Sequence, residues 1–258
     1  MQVRRAANVI ELLEFFAERG GPATLAEIAD GLGWPRSSTF NLVGTLLDRG
    51  YLYEPSLRGS YYPSPRWSRV VGRVTDRDGV PDQLRAVVDE IGRRTDETTA
   101  LGAPAGSWVL MVHVRESRQM LRYFAEEGTL APIHATSAGR AILVQMDPKE
   151  REALYRRLDF TRPQPNAPGS PDEVETRIRE GVARGYHQSN AEGTPDLAGV
   201  SLSLPWGNRR FSIVVSGPVT RLIGRRAEVA ALMADTLRKA GLASDYSAAL
   251  LAQADRSP

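Results

Sequence analysis

The sequence predicts an α+β protein of two domains, a winged helix-turn-helix followed through a linker helix by a domain of mixed strands and helices. Three observations carry this. Apolar residues recur at helical spacing on both sides of a Gly-bearing turn at residues 31–35. Two β-rich runs around a Pro- and Gly-containing turn follow at residues 51–62. From residue 98 onward short strand patterns alternate with helical ones. At 258 residues the chain is long enough to bury two cores.

Val9, Ile10, Leu12, Leu13, Phe15 and Phe16 mark an amphipathic first helix. In the second helix Leu25, Ile28, Ala29 and Leu32 fall on one face at i, i+3, i+4 and i+7. Thr24 with Glu27 three residues later predicts a capping box at its start. Gly31 and Gly33 punctuate the turn. Pro35 suits the first turn of the third helix, where a missing N–H costs nothing. Phe40, Val43, Leu46 and Leu47 are that helix's apolar positions.

Arg36, Ser37, Ser38, Thr39 and Asn41 lie at the N-terminal end of the third helix, the part of a recognition helix that reaches into the major groove. Arg can fork onto guanine, Asn onto adenine, and short hydroxyls onto phosphates. Arg58, at the hairpin tip, is placed to reach the backbone or minor groove. Duplex DNA is therefore the expected partner. Two other readings exist. The helical pair can be a packing unit whose Ser-Ser-Thr run only caps a helix, or a protein-interaction module. The polar run 36–41 argues against the second, since a protein-binding helix would present apolar anchors.

Trp67, Val70, Val71 and Val74 have helical spacing, and Asp78-Gly79 then Pro81 read as a break. This linker helix can pack on its own domain or on a partner chain. Leu84, Val87, Val88 and Ile91 mark the next helix. Residues 98–103, 108–114 and 120–125 read as strands, the first two joined tightly at Gly106-Ser107. Helices are expected at 137–146, 149–158, 172–184 and 225–241, and strands at 197–204 and 210–215. A Pro-rich surface loop covers 161–171. The helices are expected against one side of the sheet. The domain limits that follow are 1–66 for the winged helix, 67–81 for the linker, 82–245 for the second domain and 246–258 for a tail.

Composition sets bounds. The 33 basic and 31 acidic residues leave a net charge of only +2, so any DNA affinity must come from charge placement. Residues 1–66 hold seven Arg against seven acidic residues. With no cysteine, disulfides, Cys-ligated zinc and Fe–S clusters are excluded. The lack of cysteine, of a signal peptide pattern and of a long apolar run makes a cytoplasmic protein the expectation.

Four stretches resemble the IclR family of bacterial transcription regulators, in the family's order. Gly59-Ser60-Tyr61-Tyr62-Pro63-Ser64-Pro65-Arg66 is similar to its G-x-Y-x-L-G-x-R stretch. Pro132-Ile133-His134-Ala135-Thr136-Ser137-Ala138-Gly139-Arg140-Ala141 resembles L-P-L-H-A-T-A-A-G-K-A. Arg184-Gly185-Tyr186 resembles the R-x-x-G-Y element, and Ser216-Gly217-Pro218-Val219-Thr220-Arg221 resembles S-G-P-x-x-R. The resemblance spans nearly the whole chain. It implies a GAF-like effector-binding domain, a homodimer or dimer of dimers on a pseudo-palindromic operator, and regulation, with repression the expected mode, by a small organic effector. The effector positions it implies are Thr136, Ser137, Ala138, Gly139, the loop from Asn190 to Asp196, Ser203, Ser216 and Thr220. Free N–H groups at Thr136-Ser137-Ala138-Gly139 could hold a carboxylate, which keeps carboxylic acids among the candidate effectors; Thr136 or Ser137 can equally be a plain helix cap. The chain departs from the pattern at Phe40-Asn41, where a His-Arg pair is common, and at 196–205, which is one residue shorter than usual. Thr194 and Pro195 also replace the usual glutamate-rich sequence.

An enzyme is the alternative class. His134, Ser137 and Asp147 are base and nucleophile types, but a triad needs a spatial constellation that sequence proximity does not give. No G-x-S-x-G elbow, Walker loop or G-x-G-x-x-G fingerprint occurs, so no cofactor is expected. His113 reads as a core or edge residue and His187 as a surface one. Three scattered histidines do not suggest a metal site.

Overall fold

The computed structural model describes residues 3–55, 59–75, 79–161 and 164–242. The chain divides into two compact units, Met1–Gly79 and Val80–Pro258.

The first unit contains α1 (Arg4–Arg19), β1 (Ala23–Thr24), α2 (Leu25–Leu32), α3 (Arg36–Asp48), β2 (Leu52–Tyr53), β3 (Ser60–Pro63) and α4 (Arg66–Thr75). The capping box forms: Thr24 Oγ1 accepts from the Glu27 amide, and the Thr24 amide donates to the Glu27 carboxylate at 2.8 Å. These bonds, with Arg19 alongside, pull the Glu27 pKa down to about 2. Gly33 ends α2 at φ 64°, a left-handed conformation that glycine adopts without steric cost. Leu12, Phe16, Ala23, Ile28, Val43, Leu46 and Leu52 form the core. Leu12 and Ile28 are fully buried, each worth roughly 1.5–3 kcal/mol relative to exposure. The strands pair antiparallel in the order β1-β3-β2, with Tyr53 opposite Tyr62 and Ala23 opposite Tyr61. Arg58 lies outside the described residues.

At the start of α4, Trp67 packs on the unit's own core and donates its indole N–H to the Tyr51 carbonyl at 2.9 Å. The Arg66 guanidinium sits over the Tyr51 ring. Further along, Val70, Val71 and Val74 are 39%, 54% and 69% exposed, so the apolar stripe is only half used within the unit.

The second unit contains α5 (Asp82–Thr95), β4 (Thr98–Ala105), β5 (Trp108–Arg115), β6 (Leu130–Pro132), α6 (Ser137–Leu143), α7 (Pro148–Tyr155), α8 (Pro171–Arg184), β7 (His187–Asn190), β8 (Leu197–Trp206), β9 (Arg209–Pro218), α9 (Val219–Leu222) and α10 (Arg226–Lys239). Its sheet runs β6-β5-β4-β9-β8-β7, every neighbouring pair antiparallel. Alternation along β8 assigns its faces. Val200, Leu202 and Leu204 join Leu84, Val88, Ile91, Val229 and Met233 in one core, so α5 and α10 cover that side. Ser201 and Ser203 point the other way, to α6: Ser201 donates to Ser137 Oγ and Ser203 to the Ala141 carbonyl, both at 2.8 Å. On that second side Ala100, Val109 and Val214 pack with Ile142, Leu154, Val174 and Ile178 from α6, α7 and α8. Helices thus flank both faces of the sheet, not one side, because its strands bury apolar residues in both directions.

Two strand assignments change. Residues 120–125 form no strand: Met120, Leu121 and Phe124 are exposed and find no sheet partner, and β5 pairs instead with the short β6. β7 was not expected. His187 on it is wholly buried, against Gly181 of α8, where an added Cβ would stand 2.2 Å from its ring nitrogen. Burial, aided by Arg140 and Arg184, lowers its pKa to about 3. No helix among the described residues is long and apolar enough to cross a membrane.

Candidate functional site

α3 carries the candidate DNA-reading residues, and helical phase divides them. Arg36, Ser37, Ser38 and Asn41 are exposed, whereas Thr39, Val43 and Leu46 at i, i+4 and i+7 are buried. Thr39 therefore leaves the set of groove-facing side chains: it is wholly buried and its hydroxyl donates to the Pro35 carbonyl at 3.2 Å. Phe40, expected inside, is 65% exposed. It shares the outer face with Ser37, Asn41 and Gly44 at i, i+3, i+4 and i+7 counted from Ser37. Sequence reasoning missed it by equating apolar with buried.

In the second unit a cavity of 210 Å³ lies where α6 begins, against β5, β8 and β9. Thr136, Ser137, Ala138 and Ser216, which the resemblance implies as effector positions, are among its lining residues. The loop between Asn190 and Asp196 contributes Glu192, Gly193 and Thr194. Met111, Tyr123, Leu130, Ser189, Leu197, Ala198 and Val214 also line it and carried no signal in the sequence. Burial raises the pKa of Tyr123, so its hydroxyl stays protonated.

The other expected effector residues are elsewhere. Gly139 packs against the Ile133 backbone: an added Cβ would fall 1.8 Å from the Ile133 carbonyl oxygen. Asn190 lines a separate polar groove with Arg177, Arg184 and Arg226. Asp196 takes a positive φ of 55°, and its carbonyl accepts from the Val219 amide at 2.9 Å. Ser203 spends its hydroxyl on Ala141. Thr220 lies on α9, outside the cavity lining.

Glu192 is the most constrained charge at the site. Its side chain is 4% exposed, and Arg140, 1% exposed, donates to it at 2.7 Å. Arg177 forms a second ion pair with it at 2.7 Å. Arg140 also reaches the Gln188 carbonyl, and burial lowers its pKa against the opposing pull of Glu192. Beside the cavity, the Ser216–Arg221 stretch has a supporting role. Arg221 clasps the buried Glu97 carboxylate and donates to the Leu121 carbonyl at 3.0 Å. Gly217 leaves room for that carboxylate, since a Cβ there would meet it at 2.5 Å.

The hydrolytic relay is not assembled. Ser137 is hydrogen-bonded to Ser201, and Asp147 caps α7 through the Glu150 amide at 2.9 Å. His134 is buried beside Phe160, and neither ring nitrogen finds a hydrogen-bond partner among the described residues. Burial lowers its pKa; Asp159 opposes this and Arg140 adds to it.

Residues 6–56 match the IclR helix-turn-helix domain, and residues 72–245 match the bacterial transcriptional regulator IclR C-terminal domain. The chain is 26% identical over 226 residues to the HTH-type transcriptional regulator BhcR of Paracoccus denitrificans, covering 87% of this chain and 81% of that one. It is 22% identical over 247 residues to the acetate operon repressor of Salmonella typhimurium, covering 94% and 90%. Its fold is similar to Thermotoga maritima IclR, with a TM-score of 0.70 at 18% identity over 96% of this chain and 99% of that one. It is also similar to an IclR homologue of Microbacterium hydrocarbonoxydans solved with 4-hydroxybenzoate, with a TM-score of 0.66 at 17% identity over 98% and 100%. With both halves matched, the chain belongs to the IclR family of bacterial transcription regulators, as a DNA-binding regulator with an effector-binding C-terminal domain.

Proposed function

We propose that this regulator is a repressor that grips a pseudo-palindromic operator through α3, and that a small organic effector in the 210 Å³ cavity changes its grip. The observation that carries this reading is the division of α3 into a core face and a solvent face. Arg36, Ser37, Ser38 and Asn41 lie on the solvent side, where the first turn of a recognition helix meets base edges and phosphates. Phe40 belongs to the same surface. An exposed phenylalanine there suits the C5-methyl of thymine, one of the apolar features of the major groove. Arg58 is retained as a wing contact from its place in the sequence. Repression is supported by the acetate operon repressor among the relatives, and an organic effector by the 4-hydroxybenzoate complex among the structural neighbours.

Residues 67–81 act as the linker, in a cytoplasmic homodimer or dimer of dimers. The exposed valines of α4 support a chain-to-chain contact. The effector can shift DNA affinity only by as much as it prefers one state of the protein over the other. The test is a titration of the DNA upstream of the protein's own gene between about 50 and 200 mM salt. Steep salt dependence on that fragment, and selective loss at T-containing positions in Phe40→Ala, are expected. Salt-independent or sequence-indifferent binding refutes the reading.

A further inference from the structure

The polar groove that Asn190 lines has a volume of 530 Å³ and lies between α8, β7 and the start of α10. Its arginines are unevenly partnered. Arg177 is paired with Glu192. Arg184 donates to the Tyr186 carbonyl at 3.2 Å and lies over the Tyr186 ring, and Arg226 donates to the Ser189 carbonyl at 2.7 Å. Neither Arg184 nor Arg226 has an ion-pair partner among the described residues. The Arg226 Nε is buried without a hydrogen-bond partner among them, so the protein satisfies this guanidinium only in part.

These cations also act on one another. Burial lowers the pKa of Arg140 and of Arg226, and the Arg184 charge adds to both, against the pull of Glu192. Arg140, Arg177, Arg184 and Arg226 thus gather near one buried carboxylate. Glu180, exposed and one turn before Arg184, brings a second. Four positive charges against two negative ones leave a surplus of two at this end. Asp172 and Glu173 line the groove as well, but at the start of α8, ~16–18 Å along the helix from Arg184. Gln188 and Asn190 add side-chain amides to the lining.

We infer that the Arg184–Arg226 end of this groove binds a dianionic phosphate group, giving the second unit a ligand site beyond the effector cavity. Two uncompensated guanidiniums match two negative charges, and each presents its N–H donors in the planar fork that phosphate oxygens accept. A monocarboxylate neutralises only one of the two. Free phosphate and a phosphorylated metabolite both carry the required group.

The test titrates the full chain calorimetrically at about pH 8, where phosphate is a dianion. The probes are inorganic phosphate, glycerol 1-phosphate, glycerol and acetate. Both phosphates are expected to bind at least about tenfold tighter than acetate or glycerol. Arg226→Gln and Arg184→Gln should each weaken phosphate binding at least about tenfold, the loss of one charge-assisted contact. Ser216→Phe fills the neighbouring cavity and not the groove, so phosphate binding should persist in it. Arg184→Gln also removes the stacking on Tyr186; should it or Ser216→Phe not fold, Arg226→Gln decides alone. An ester that binds at least about tenfold tighter than inorganic phosphate identifies a phosphorylated metabolite as the ligand, and equal binding identifies free phosphate. Phosphate binding that is absent, matched by acetate, indifferent to Arg226→Gln or lost in Ser216→Phe overturns the proposal.

Discussion

The Arg140–Glu192 pair allows a quantitative check on the second unit. Both side chains are almost fully buried, at 1% and 4% exposure. Removing one partner of such a pair typically costs ~3–5 kcal/mol, because the other charge is left in a poor solvent. The two removals are not equivalent. Arg140→Met leaves Glu192 with Arg177, which is 33% exposed and partly solvated, so the loss should sit near ~3 kcal/mol. Glu192→Met leaves Arg140 with only the Gln188 carbonyl, so the loss should approach ~5 kcal/mol. The double variant replaces charge with apolar bulk and removes both desolvation penalties. It should lie within ~2 kcal/mol of the parent, since such replacements are often neutral or stabilising. The coupling is then about 6 kcal/mol, several times a surface pair's. Differential scanning calorimetry on the whole chain reads it. At ~2–4 °C per kcal/mol, the singles should lower the relevant transition by about 6–12 °C and 10–20 °C. Additive losses in the double variant would show that the two side chains are not coupled through burial.

Four further outcomes follow from the geometry. Arg36→Ala should cost ~1–3 kcal/mol of operator affinity without changing thermal stability; Thr39→Val should do the reverse, with ~1 kcal/mol of stability lost with its bond to Pro35. Parallel gel-shift and melting measurements check both, and equal DNA defects would mean the phase of α3 is misassigned. Gly139→Ala should destabilise the second unit by at least ~1–3 kcal/mol, because the new Cβ would stand 1.8 Å from the Ile133 carbonyl oxygen; an unchanged melting profile would contradict the packing. His187 should make the fold acid-sensitive. Its pKa falls from 6.5 to about 3 on burial, so below pH 6.5 the unfolded chain binds a proton that the folded chain refuses until about pH 3. Stability should therefore fall as pH drops through that window, by up to ~1.4 kcal/mol per pH unit. Urea unfolding across pH checks this: His187→Leu should show a shallower acid limb, and an identical slope refutes it.

The range of an interaction along the chain decides what the sequence could reveal. The Thr24–Glu27 capping box spans three residues, and the 106–107 turn joins strands that are neighbours in sequence; both were legible because the stabilising partners sit side by side in the text. The recognition helix was legible as a helix, but its contact set required phase. Thr39 sits four residues before Val43 and so faces inward, whereas Phe40 is turned out despite its hydrophobicity. The expectation that apolar means buried holds only in one direction. Residues 120–125 failed for a related reason: they have strand-like composition, yet the edge of β5 is taken by β6, and composition does not say which segment wins an edge. Motif resemblance singled out 136–138 and 216, residues at fixed offsets within short elements, and these line the cavity. It could not show the buried ion pairs that stand beside the cavity. Glu192 meets Arg140 across 52 residues of sequence and Arg177 from a third element, and neither end carries a local pattern that names the other. The buried ion pairs beside the cavity are therefore set by long-range packing and not by the lining motif, so two chains with the same motif can differ in the charges that stand behind it.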